Sequence, residues 1–339
     1  MIWLLLLIFV FAKSPSLIDS QSPQLNTSIW MEQLLPKIGN LHLYDITLPG
    51  THDAASFIIT SALSPDPAGD PFLDDIIKIA EQFGIPVQDI IIPWAESQNR
   101  TLFEQALDGM RYFDLRAAFN GSEWFSYHFD LGLPIIEHLT GIQKFLQTHT
   151  SEILIIEVSH FAATNLTKDD LNGLRKIIMD LLSPWLYPRS DNFITINEMI
   201  AKNQRVIVTF SDDETIENFP QLWPASTMIN SYANSDKVDQ MIAYNQKQVE
   251  DFNAISCLPK NALYKLSWTL TPQTSTIIES LLGGKLKSLR ELANIGNQKL
   301  SSFARPFQAK GMKLCQILLI DFQETSNIMP VIFRSILNY

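Results

Sequence analysis

The chain has 339 residues, is 46% hydrophobic and 18% charged, and carries a net charge of −11. That is enough apolar material for a barrel-sized core, and no low-complexity stretch or repeat argues for disorder beyond the N-terminus. No Lys/Arg cluster occurs, so the composition argues against nucleic acid as a partner and against polybasic docking on anionic lipid.

Taken from the start, residues 1–12 read MIWLLLLIFVFA, too short to span a bilayer and too apolar for a free N-terminus. They predict a secretory signal peptide over residues 1–20, although a positive n-region is missing, followed by an N-terminal segment at 21–40. Four N-x-S/T sequons, at Asn26, Asn99, Asn120 and Asn165, fit a secreted, extracellular glycoprotein. Cys257 and Cys315 are an even pair, and a disulfide and two buried thiols stand as open alternatives.

Strand-like runs fall at 42–48, 110–119, 123–129, 152–160, 205–211, 226–232, 262–270 and 316–322. Helical patterns fall at 73–83, 136–148, 165–182, 235–252, 285–303 and 330–337, with Asn165 or Thr167 as the cap of the third. Strands alternating with helices predict an α/β fold, a single-domain TIM-like (β/α)8 barrel over 41–339. No G-x-G-x-x-G follows a strand, which argues against an open dinucleotide-binding sheet.

Active sites of such barrels lie at the C-terminal ends of the strands. His52 and Asp53 follow the first strand, and Asp114 and Arg116 lie toward the end of the second. His128 ends the third, Glu157 and His160 the fourth, and Asp321 the eighth. The eighth strand of a closed barrel neighbours the first, so Asp321 is expected beside His52.

Strand periodicity puts Tyr112, Asp114 and Arg116 on one face. The stretch alone leaves open a structural Asp–Arg pair or an arginine aimed at an anionic substrate, for which the planar guanidinium fork suits phosphate. Two histidines with carboxylates nearby supply a general base and a general acid. With one arginine they suffice to cleave a phosphodiester when a neighbouring hydroxyl is the nucleophile, with no metal cofactor. The rival use of Asp53, Asp114, Asp321 and Glu157 is a Ca2+ site, but the fixed charge of Arg116 stands where the ion would go. No zinc-type spacing occurs. Trp124 and Phe125 read as core aromatics in preference to a lipid-facing rim.

These residues resemble the X-domain of phosphatidylinositol-specific phospholipases C. The resemblance rests on LPGTHD (48–53), GMRYFDLR (109–116) and His128, with WAESQNRTLFEQALDG (94–109), FLQTHTSEILIIEVSHF (145–161), SWTLTP (267–272) and LLIDFQ (318–323) around them. It spans residues 41–323 and is closest to the single-domain bacterial and X-domain-only members. It implies cleavage of phosphatidylinositol, at a membrane surface and by a monomer, to diacylglycerol and a cyclic inositol phosphate. His52 matches the general base with Asp321 as its partner, and His128 the general acid with Asp53 as its partner. Arg116 matches the phosphate clamp that stands in for calcium, oriented by Asp114. Glu157 and His160 are further substrate-binding candidates. The sequence departs from the pattern at Phe129, where many relatives have glycine, and no Arg or Lys matches the inositol-ring contacts. Two rival readings are a catalytically weak lipid-binding relative and a calcium-dependent phosphodiesterase of another glycerophosphodiester.

Overall fold

A computed structural model describes residues 25–65, 71–212 and 216–337. The signal-peptide reading at 1–20 lies outside the described residues, as does most of the Pro/Asp-rich loop at 64–71. Among the described residues ten strands occur: β1 Leu48–Thr51, β2 Tyr112–Phe119, β3 Trp124–His128, β4 Asp130–Pro134, β5 Leu154–Ala162, β6 Val206–Phe210, β7 Trp223–Pro224, β8 Met228–Ile229, β9 Leu263–Trp268 and β10 Ile317–Ile320. Eight of them form a parallel sheet in the order β7-β6-β5-β2-β1-β10-β9-β8, curled into an open, distorted barrel. The central strands are near-continuous apolar runs, as expected of parallel strands covered on both faces; β6 and β10 are buried at every residue.

Two of the expected strands need correction. The first is not at 42–48, where residues Leu43–Asp45 form a single 3-10 turn. It starts at Leu48 and runs through the Pro49-Gly50 pair that reads as a strand stop. Pro49 is tolerated because its missing N–H faces β2, whose register with β1 begins only at Gly50 against Tyr112. Its carbonyl still accepts from Arg111 N at 2.9 Å. Gly50 is needed there: a Cβ would lie 2.7 Å from Tyr112 Cδ1.

The third expected strand is not a barrel strand. β3 pairs antiparallel with β2, and β4 antiparallel with β3, as a hairpin laid off the barrel's rim. Residues 120–123 form a tight turn, with Gly121 at φ 96° and Asn120 Oδ1 accepting from Ser122 N and Glu123 N. So short a link permits only antiparallel return, since a parallel crossover needs about a dozen residues. The barrel's eighth member is instead the two-residue β7.

Helices cover the outside, and several are capped as the sequence suggests; Thr167 caps Lys168–Leu182 by accepting from Asp170 N. The helix Trp30–Ile38 closes the base of the barrel. Trp30 Nε1 donates to the Gly109 carbonyl at 2.9 Å, and Glu152 accepts from Glu32 N at 3.0 Å and from Arg111 Nε at 2.8 Å. The buried Arg111–Glu152 pair thus sits at the strand starts, opposite the polar cavity. Trp124 is core, packed on Phe119 and Phe161. Cys257 is exposed and Cys315 buried, and both are free thiols.

Candidate active site

At the C-terminal ends of the strands lies a cavity of about 500 Å3 whose lining includes His52, Asp114, Arg116, His128 and Asp321. Glu157 and His160 line the same cavity. The backbone turns sharply here: Asp53 (φ 41°), Phe129 (65°), His160 (54°) and Phe322 (44°) are all left-handed. Such residues cost about 1–3 kcal/mol each and are held only where the surroundings over-determine them. The left-handed backbone at Phe129 is one that glycine would adopt without a steric penalty.

His52 and Asp321 meet because β1 lies beside β10. His52 N donates to the Ile320 carbonyl at 3.0 Å, and the His52 Nδ1 to Asp321 Oδ1 distance is 2.8 Å. Gln98 Nε2 donates to the His52 and Ile320 carbonyls at 2.9 and 3.1 Å, and Asn297 Nδ2 donates to the Asp321 carbonyl at 2.8 Å. These two amides lock the strand ends that carry the pair.

Asp53 is the hub. The residue is 1% exposed, and its carboxylate contacts three cationic or titratable groups. Oδ1 meets Arg116 Nε, while Oδ2 lies 3.6 Å from His52 Nε2 and 3.4 Å from His128 Nδ1. Neither oxygen takes a hydrogen bond of good geometry, so Asp53 is held by charge. Asp114, expected to orient the arginine, instead faces the Asp53 backbone N–H, with 3.4 Å to Oδ2. His128, at the tip of the β3–β4 hairpin, places Nδ1 2.7 Å from the Ala95 carbonyl. That contact fixes the proton on Nδ1 and leaves Nε2 as an acceptor when the ring is neutral.

The proton inventory follows from these contacts. Burial disfavours the charged form of His52, but Asp53 and Asp321 outweigh it and raise the imidazole to about 9. Burial lowers His128 to about 4 despite Asp53. Burial also opposes charge on Asp53, yet Arg116, His52 and His128 hold its carboxyl well below the usual range. At neutral pH His52 is therefore an imidazolium and His128 a neutral ring. Arg116 Nη2 lies 3.3 Å from His52 Nε2, so two N–H donors confront each other there. An anionic oxygen between them would accept from both.

His52, Asp53 and Asp114 offer ligand atoms within 4.8 Å of one another, a spacing that could hold a metal ion. Arg116 on Asp53 supplies a fixed positive charge at the same point, which opposes a divalent cation. Of the other histidines, His138 is buried against Ser126 Oγ, His149 stacks on Phe145, and His42 pairs with Asp45.

Sequence reasoning missed Gln98, Asn297 and Lys265. Lys265 Nζ lies 2.7 Å from Glu157 Oε2 and 2.9 Å from the Tyr112 hydroxyl, which itself donates to Glu157. The signal was available: Lys265 and Ser267 alternate along β9, with Thr269 one residue past its end, as Tyr112, Asp114 and Arg116 do along β2.

No protein-family profile matches the chain. It is 24% identical over 322 residues to PI-PLC X domain-containing protein 3 of Danio rerio, covering 93% of this chain and 94% of that protein. It is 28% identical over 265 residues to PI-PLC X domain-containing protein 2 of Homo sapiens, covering 77% and 83%. Its fold is similar to a phosphatidylinositol-specific phospholipase C from Listeria monocytogenes, with a TM-score of 0.62 at 18% identity over 93% of this chain and 99% of the other. A corresponding enzyme from Staphylococcus aureus gives a TM-score of 0.63 at 16% identity over 91% and 97%.

Proposed function

We propose, from the premise that this chain is a PI-PLC X-domain-type protein related at modest identity to bacterial enzymes, that it cleaves the phosphodiester of phosphatidylinositol at a membrane surface. The observation that carries the reading is that His52 and His128 flank one Asp53–Arg116 pair inside a single cavity. His52 takes the proton of the ring hydroxyl next to the phosphoester. The freed oxygen attacks phosphorus while the bond to the diacylglycerol oxygen breaks, and His128 delivers a proton to that leaving oxygen. The products are diacylglycerol and a cyclic inositol phosphate. Arg116 donates to the non-bridging oxygens as charge builds on them. Asp321 holds the His52 tautomer, and Asp53 ties both histidines to the arginine.

The resting protons stand in the opposite order, on His52 and not on His128. The pair holds the right number of protons, and the base and acid roles require one of them to pass from His52 to His128 before the ring hydroxyl is deprotonated. Secretion is part of the proposal; all four sequon asparagines, Asn26, Asn99, Asn120 and Asn165, are exposed.

The test is release of cyclic inositol phosphate from phosphatidylinositol micelles by the purified protein in chelator, with His52→Ala and His128→Ala as controls. Product from the wild type and none from either variant is the expected result. Near-wild-type turnover in either variant would refute the base and acid roles. A second reading, a calcium-dependent phosphodiesterase, draws on the His52, Asp53 and Asp114 cluster. It requires that turnover be absent in chelator and appear with excess calcium.

A further inference from the structure

We propose that Lys265 and Glu157 form a diol-reading floor in the cavity, taking two adjacent hydroxyls of a cyclic polyol head group, so that Lys265 determines specificity. This rests on the hydrolase reading above and assigns a residue that its chemistry does not use. Lys265 comes from β9 and reaches across the barrel to Glu157 on β5 and Tyr112 on β2. It is 9% exposed, and both it and Glu157 line the cavity.

An ammonium has three hydrogens to donate. Among the described residues Lys265 gives two, to Glu157 Oε2 and to the Tyr112 hydroxyl. Glu157 Oε2 also accepts from Tyr112, whereas Oε1 accepts from no described residue and is not sealed from solvent. The floor therefore presents one spare donor next to one spare acceptor. A hydroxyl is both, and two neighbouring hydroxyls on a ring can satisfy the two together. A further phosphate would not fit this place, because the charge of Lys265 is already neutralised and Glu157 would repel an anion.

A purely structural ion pair is the opposing account. Buried pairs of that kind are replaced by neutral groups at small cost when both partners change together. The experiment uses the full chain, myo-inositol and a set of its monodeoxy analogues, with affinities read by isothermal titration. Two proteins are compared, the wild type and Lys265→Met/Glu157→Gln, which leaves no unpaired buried charge. Removing either of two adjacent hydroxyls should weaken wild-type binding about tenfold or more, the range expected when a polar site loses its hydroxyl partner. The same removal should change the double variant by no more than about twofold, because the cycle isolates the contact. Equal losses in both proteins, or no inositol binding by the wild type, would overturn the proposal. Phosphatidylinositol turnover is measured on the same wild-type preparation. An intact cycle without turnover would sink the hydrolase reading alone, and turnover with a flat cycle would sink the diol floor alone.

Discussion

Replacing Asp321 by Asn removes one of the two carboxylates that keep a proton on His52. The imidazole stands at about 9, above its ordinary 6.5, raised by the charge of Asp53 and by both the charge and the hydrogen bond of Asp321. A charge partner at hydrogen-bond distance shifts a pKa by about 1–3 units, and one unit corresponds to about 1.4 kcal/mol. Asp53 remains in the variant, so the lower part of that range applies and His52 should fall to roughly 7–8. The assay is kcat/KM for phosphatidylinositol from acid to alkaline pH in chelator, with an NMR titration of the histidines alongside. The alkaline limb, which reports loss of the last proton from the pair, should move down with His52. The acid limb, set by His128 at about 4, should stay. Peak turnover should drop about 10²-fold or more, because the amide no longer fixes the tautomer needed for proton transfer. An alkaline limb and a His52 resonance both still titrating near 9 would refute the argument that Asp321 sets the proton affinity of this ring.

Three other outcomes follow from the same geometry. Arg116→Asp should cut chelator-resistant turnover about 10²–10³-fold and, by adding a third carboxylate beside Asp53 and Asp114, make the remainder respond to calcium; full activity in chelator would show that Arg116 is not the clamp. Gly50→Ala brings a Cβ to 2.7 Å from Tyr112 and should destabilise the fold by about 1–3 kcal/mol in denaturant titration; an unchanged midpoint would contradict the packing. Thermal stability should peak near pH 6.5. The His52 contribution is complete below its unfolded value of 6.5 and is lost as pH rises through about 9. Those of His128 and His138 are complete above 6.5 and are lost as pH falls through about 4. A midpoint that climbs steadily to pH 9 would contradict the His52 shift.

The sequence carried the placement of His52, Asp53, Arg116 and Asp321, because strand ends are marked by where apolar runs stop and β1 must neighbour β10 in a barrel. It also carried the polar face of β2. The antiparallel return of β3 onto β2 could have been read from the four-residue spacing after Phe119, which is too short for a parallel crossover. The partner of Arg116 could not. Periodicity favours Asp114, which shares a strand face with Arg116, whereas Asp53 follows β1 and reaches the arginine through a left-handed turn that a non-glycine residue seldom adopts. The order of the two histidine pKa values was also beyond reach. It depends on how many carboxylates face each ring, which is a property of packing and not of spacing.

The seam between β7 and β8 has a consequence for how the molecule divides its work. Both strands are two residues long and sit at opposite ends of the sheet order, while β1, β2 and β10 lie at its centre with a hydrogen-bonded neighbour on each side. Opening energies rise from unpaired edges toward fully paired strands. Amide exchange should therefore be slowest under His52, Arg116 and Asp321 and fastest around Trp223–Ile229. His52, Arg116 and Asp321 ride on the stiff half of the ring, whereas Asn230 and Tyr232, which line the cavity just past β8, ride on the yielding half. A barrel left unclosed on that side can yield around a bound ligand without moving His52, Arg116 or Asp321.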